Sequence, residues 1–269
     1  MIGPAQGRAA RGTVQLMIAR LVFLGSGLVI SIILARSLGP VDFGVYGVIM
    51  TLLTWLEMSL GASVPGAVAN LLPKYATNAP VVEQTARVLV IASSLVLFVA
   101  CWFLAPLAAE LFGIQDGAYL FRVAIVDIPL MAVFFAYQGI LYGHQRFGTL
   151  SLSLILQTLT KLAGIAILLL IGMSVTGALI AHVLASAAVM VYLLIRIPPD
   201  RAPWSAALTR SMVLIALPLG VYAIAMQAHC NMGLWLLKGL GTGAAETAGY
   251  YAAALNVTRA LTVVQSALA

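Results

Sequence analysis

Seven ionisable side chains stand inside long apolar stretches of this chain: Arg20, Glu57, Asp127, Lys161, His182, His229 and Arg259. Each needs a partner or a wet cavity, because a charge near a bilayer centre costs at least ~2.5–3.5 kcal/mol. Two kinds of chemistry follow. Arg20, Lys161 and Arg259 make a basic interior, whose natural counterpart is a phosphate or pyrophosphate, since guanidinium forks match phosphate oxygens and a low dielectric strengthens the pairing. Glu57 and Asp127 are candidates for coupling or for charge pairing. Arg20 reads either as a cavity arginine or as a side chain reaching back to the headgroups. Arg259 lies too deep for that and reads as cavity lining. Lys161 falls near the midplane, with Gln157, Thr158 and Thr160 beside it, so this side of its helix faces either water or another helix. Glu57 reads equally as the neutraliser of one of the cations Arg20, Lys161 and Arg259 and as a proton- or cation-coupling carboxylate. Asp127, just before Pro129, reads as a partner at a helix break. His182 and His229 read as hydrogen bonders between helices.

The elements that position these groups are membrane helices. Of 269 residues, 62% are hydrophobic and only 8% charged, against about 45–50% and 25% in soluble domains. The apolar runs are continuous and near the ~20 residues a bilayer demands, which excludes a barrel. Eight spans are expected: 13–35, 43–71, 85–108, 119–142, 149–172, 175–195, 209–236 and 247–268. Turn residues mark the connections, among them Gly39-Pro40, Asn78 to Pro80, Asp116-Gly117, Gly143, Gly172 and Pro198-Pro199. Gly61-Ala62-Ser63 with Pro65-Gly66, and Pro218-Leu219-Gly220, are expected to interrupt the second and seventh spans. Cys101 and Cys230 read as packing residues, no metal-ligand spacing occurs, and a net charge of +6 is accounted for by topology, not by nucleic acid.

The basic residues favour an N-terminus in the cytoplasm. Arg8, Arg11, Lys74, Arg87, Arg146, Arg196, Arg201 and Arg210 then fall at inner ends, and Arg36, Arg122 and Lys238 at outer ends. The connection 196–208 reads as a cytoplasmic linker between residues 1–195, six helices of a first lobe, and 209–269, the first two helices of a second. A repeat supports this division. Leu38-Gly39, Asp42 and Gly44-Val45-Tyr46 are echoed by Leu240-Gly241, Glu246 and Gly249-Tyr250-Tyr251. Each copy follows a helix ending in a basic residue, Arg36 or Lys238. An even number of spans separates them, so the repeats are parallel, as in one known transporter plan.

Leu34 to Tyr46 resembles the junction of helices one and two in bacterial polysaccharide and O-antigen flippases of the MOP (multidrug/oligosaccharidyl-lipid/polysaccharide) superfamily. Tyr137-Gln138-Gly139 through Gly143-His144-Gln145-Arg146-Phe147-Gly148 resembles their helix four–five junction, and Gly249 to Ala254 their start of helix eight. The resemblance runs over essentially the whole chain. It implies an all-α, MATE-like transporter of two six-helix lobes, here with the second lobe incomplete. Its implied activity is outward flipping of undecaprenyl-pyrophosphate-linked oligosaccharide by alternating access across the bacterial cytoplasmic membrane. Its implied partners are the lipid-linked oligosaccharide, the bilayer, and glycosyltransferase or polymerase neighbours in the same pathway, with no cofactor. The anion-lining role of helices one and eight falls on Arg20 and Arg259. Two helices of a second lobe are not expected to transport alone, so the chain reads as part of a longer transporter. A cation-coupled multidrug antiporter is the alternative, and would need acidic residues to dominate the cavity. A membrane polymerase or ligase is disfavoured, because no nucleophile–base cluster and no long external loop is present.

Overall fold

The computed structural model describes residues 4–61, 63–241 and 246–268; within its helices the side chains of residues 4–14, 20, 24 and 259–268 lie outside the description. Helix α1 runs from Pro4 to Gly61, 58 residues. At 1.5 Å per residue that is far longer than a bilayer, and the helix is broken at Gly39, whose φ of 74° and ψ of 172° suit a residue without Cβ. Pro40 supplies the fixed φ that restarts the helix. The two arms lie side by side: residues 23–31 of the first and 46–54 of the second line one cavity. The expected Gly39-Pro40 turn is therefore tighter than a loop.

The second arm ends at Gly61, and α2 (Val64–Leu71) continues toward the far end, so the expected interruption of the second span is present. Next come α3 (Ala79–Leu111), α4 (Gly117–Ile125) and α5 (Asp127–Gly143). The expected span 119–142 is thus two helices, broken at Val126, just before Asp127. The remaining elements are α6 (Phe147–Leu170), α7 (Val175–Arg196), α8 (Ala206–Gly239) and α9 (Thr247–Leu268). The interruption expected at Pro218 is not realised: α8 passes through it as one helix. Pro218 removes one donor from the ladder, which neighbouring turns absorb. Among the described residues, six segments are long and apolar enough to cross a membrane. The first, Gln15–Leu71, folds back at Gly39, so its two arms account for the first two expected spans.

In lipid every polar group needs an internal partner, and several hydroxyls inside these helices find theirs on the preceding turn. Thr51, Ser63, Ser93, Ser94 and Ser153 each donate to a carbonyl three or four residues back, at 2.7–3.2 Å. Packing is dominated by α6 on α7, α1 on α9 and α6, and α5 on α2 and α3. The main core joins both arms of α1 to α4, α6, α7, α8 and α9 through Leu34, Phe43, Ile49, Leu53, Ile165, Leu179, Leu234 and Ala252.

The two copies of the sequence repeat meet. A Cβ built on Gly44 would lie 2.9 Å from the Gly249 nitrogen, and one built on Gly249 would fall onto the Pro40 carbonyl. Only the absence of side chains lets these backbones touch. One turn further, a Cβ on Gly47 would sit 2.9 Å from Ala252 Cβ. This close-packed seam lies at the Gly39 end of the bundle. The α7–α8 connection lies at the opposite end.

Candidate functional site

Between the two arms of α1 and the helices α8 and α9 lies a cavity of about 780 Å³. Ser31, Thr51 and Thr54 line it from α1, Gln227 and His229 from α8, Asn256 and Thr258 from α9, and Lys161 enters from α6. No aspartate or glutamate lines it among the described residues. Two tryptophans brace its α8 side. Trp235 Nε1 donates to Thr51 Oγ1 at 3.0 Å, Trp55 Nε1 donates to the Ile224 carbonyl at 3.0 Å, and the two rings meet edge to face at 5.5 Å. These bonds tie the second arm of α1 directly to α8.

Behind Lys161 the bundle buries an acidic cluster. Glu57 on α1, Asp127 at the start of α5 and His182 on α7 each place one ligand-type atom within 4.8 Å of the others. His182 Nε2 and Asp127 Oδ2 are 3.2 Å apart. The break at Val126 is what brings Asp127 inward, where it is fully buried. Glu57 Oε1 and both Asp127 oxygens lack an aligned hydrogen-bond donor among the described residues. Lys161 lies within electrostatic reach of Glu57, Asp127 and His182. Lys161 therefore stands between the carboxylates and the cavity, able to answer a negative charge on either side.

The sequence expectations divide accordingly. Lys161 lines the cavity as the basic-interior reading requires. Glu57 and Asp127 are brought together, which the sequence does not indicate; it offers one of the interior cations Arg20, Lys161 and Arg259 as the partner for Glu57, and Lys161 is within electrostatic reach of it. Those two arginines have side chains outside the described residues, although Phe23 on α1 and Thr258 on α9, close to them in sequence, line the cavity. The polar side of α6 faces another helix: Gln157 and Thr158 are buried, and Gln157 Nε2 donates to Met131 Sδ on α5 at 3.2 Å. His182 belongs to the acidic cluster, a role that its single position in an apolar run does not signal. His229 faces the cavity.

A family model described as polysaccharide biosynthesis protein matches residues 9–269. No curated protein matches the sequence. Solved structures show the same fold. The MATE multidrug transporter DinF-BH superposes with a TM-score of 0.72 at 18% identity, covering 96% of this chain and 60% of that one. An inward-facing multidrug resistance MATE family transporter of the MOP superfamily gives 0.69 at 17% identity, with 93% and 61% covered. A MOP superfamily transporter from Pyrococcus furiosus, described as having a binding pocket of reversed polarity, gives 0.67 at 18% identity, with 96% and 65% covered. The chain spans about three fifths of the length of these transporters.

Proposed function

Because the chain belongs to the polysaccharide biosynthesis protein family, we propose that it forms the cavity-bearing part of a flippase that carries undecaprenyl-pyrophosphate-linked oligosaccharide across the bacterial cytoplasmic membrane by alternating access, with its N-terminus in the cytoplasm. The supporting observation is the cavity itself: Lys161 and His229 are the basic groups lining it, and no carboxylate joins them among the described residues. Such a lining suits a pyrophosphate, and it repels nothing anionic. It also argues against the alternative of a cation-coupled drug antiporter, even though multidrug transport is named for transporters sharing the fold. Arg20 and Arg259 add to the same basic lining in this reading, since each is close in sequence to a lining residue. Residues 1–195 form the first lobe, 196–208 the linker, and 209–269 the start of the second.

A second observation favours ion coupling. The pair Glu57 and Asp127, buried beside His182 and Lys161, is built to exchange a proton or cation while Lys161 changes partner. In this reading the anion takes Lys161 from the cavity side as the carboxylates are neutralised from behind.

The test is made in the complete transporter carrying this chain. Lys161→Met, alone and with Arg20→Ala and Arg259→Ala, is expected to lower surface polysaccharide at least tenfold while membrane levels of protein hold. Wild-type polysaccharide from the triple variant overturns the reading. Drug efflux with unaltered polysaccharide moves the assignment to the antiporter.

A further inference from the structure

The connection between α7 and α8 is fastened at both ends. At its start, Tyr137 Oη donates to the Ile197 carbonyl at 2.9 Å. At its end, the Ser205 N–H donates to Thr85 Oγ1 at 3.2 Å, and Thr85 donates in turn to the Val81 carbonyl at 2.6 Å. Ser205 is also the N-cap of α8, its hydroxyl accepting from the Leu208 N–H at 3.4 Å. The two fastening side chains belong to α5 and α3, not to the helices that the connection joins.

Tyr137 is braced from behind. The Arg87 guanidinium lies 5.2 Å over the Tyr137 ring. Its Nη2 is 2.9 Å from Glu83 Oε2, and His144 Nε2 is 2.7 Å from Glu83 Oε1. Glu83, Thr85 and Arg87 are buried. Burying such a pair is costly and seldom adds net stability over apolar packing. Helix packing does not call for it either, since Val82, Ala86 and Val90 already seat α3 in an apolar core with α5 and α8. The polar cluster is instead placed where it grips the connection. Between the two grips stand Pro198, Pro199 and Pro203, whose fixed φ stiffens the segment. A stiff strap transmits displacement from one end to the other, and its far end is the first turn of α8.

We propose that Thr85 and Tyr137, the latter braced by Arg87 with Glu83 and His144 behind it, form a latch on this strap that holds α8 in the arrangement seen here and must release when the two lobes move. The proposal rests on the two-lobe, alternating-access reading for its purpose, but not for its test.

The test uses the full chain in detergent or nanodiscs, without substrate. Spin labels at Val88→Cys on α3 and Leu214→Cys on α8, in a Cys101→Ser, Cys230→Ser background, report the distance across the strap. Trypsin cleavage after Arg201 reports exposure of the strap itself. Thr85→Val with Tyr137→Phe is expected to broaden or shift the label distance and to speed cleavage roughly tenfold or more, as the loss of two hydrogen bonds implies. Unchanged distances and cleavage overturn the latch. Should the double variant fail to fold, Tyr137→Phe alone removes one grip and leaves the ring beneath Arg87, and the same readouts decide. A flippase reading that fails on surface polysaccharide leaves these measurements standing, so the two failures are distinguishable.

Discussion

The two ends of the bundle are joined by opposite means. At the linker end, the contacts are directional: an ion pair, a histidine–carboxylate pair, a guanidinium over a ring and two hydrogen bonds to the strap. At the Gly39 end, Gly44, Gly47, Gly249 and Ala252 let backbones touch with almost nothing between them. A directional contact leaves unsatisfied groups when broken, and that penalty is larger than the net value of the bond. A seam of glycines exposes only small residues when it parts. The linker end is therefore built to stay shut until something specific acts on it. The α1–α9 seam at the Gly39 end is held by shape, beside a single exposed hydrogen bond from Ser174 Oγ to Asp42 Oδ2 at 2.8 Å, and its shape is lost with the first added methyl group.

Three substitutions test this contrast, in falling order of effect. Glu83→Ala removes the carboxylate that serves both Arg87 and His144 and strands a buried guanidinium. The expected cost is about 3–5 kcal/mol, read as a lower midpoint of thermal unfolding in detergent. Gly249→Ala puts a Cβ into the Pro40 carbonyl, an overpacking of about 1–3 kcal/mol that the seam relieves by parting. A modest drop in midpoint is expected, with faster labelling of a cysteine placed at Val45. A Gly249→Ala drop larger than that of Glu83→Ala inverts the comparison. Trp235→Phe keeps an aromatic ring but loses the bond to Thr51, about 1 kcal/mol. Because that bond lies between the two ends, it is expected to move neither the Val45 labelling rate nor cleavage at Arg201. A change in either shows that the ends are not independent.

Much of this architecture is legible in the residues. Continuous apolar runs place the six segments long enough to cross a membrane, and Gly39-Pro40 marks the fold-back, because glycine takes the positive φ and proline restarts the helix. Gly61 to Gly66 and Pro129 signal real breaks. Pro218 does not, since a proline within a long helix is tolerated once its neighbours re-satisfy the freed carbonyl, and nothing local distinguishes the two outcomes. Lys161 is legible as an interior cation. The meeting of Glu57 with Asp127 and His182 is not, because α1, α5 and α7 are brought together by apolar contacts spread over many turns. A charge in one run carries no mark of which other run it will face. The linker-end cluster is hidden for a related reason: Glu83 and Arg87 at four-residue spacing, with His144 in a turn, look like an ordinary solvated helix start.

The Gly44–Gly249 contact also places the repeat in space. A residue that packs against its own counterpart sits beside a two-fold axis, the mark of an isologous interface. The seam is thus what two copies of a single short segment would make on meeting, now contained within one chain. In Gly44→Ala the added Cβ meets α9 at Ala248 and Gly249, and in Gly249→Ala it meets α1 at Pro40, so both push the same two helices apart. Each alone forces the backbones apart, and the pair together should cost little more than either one, a non-additivity that independent sites do not show.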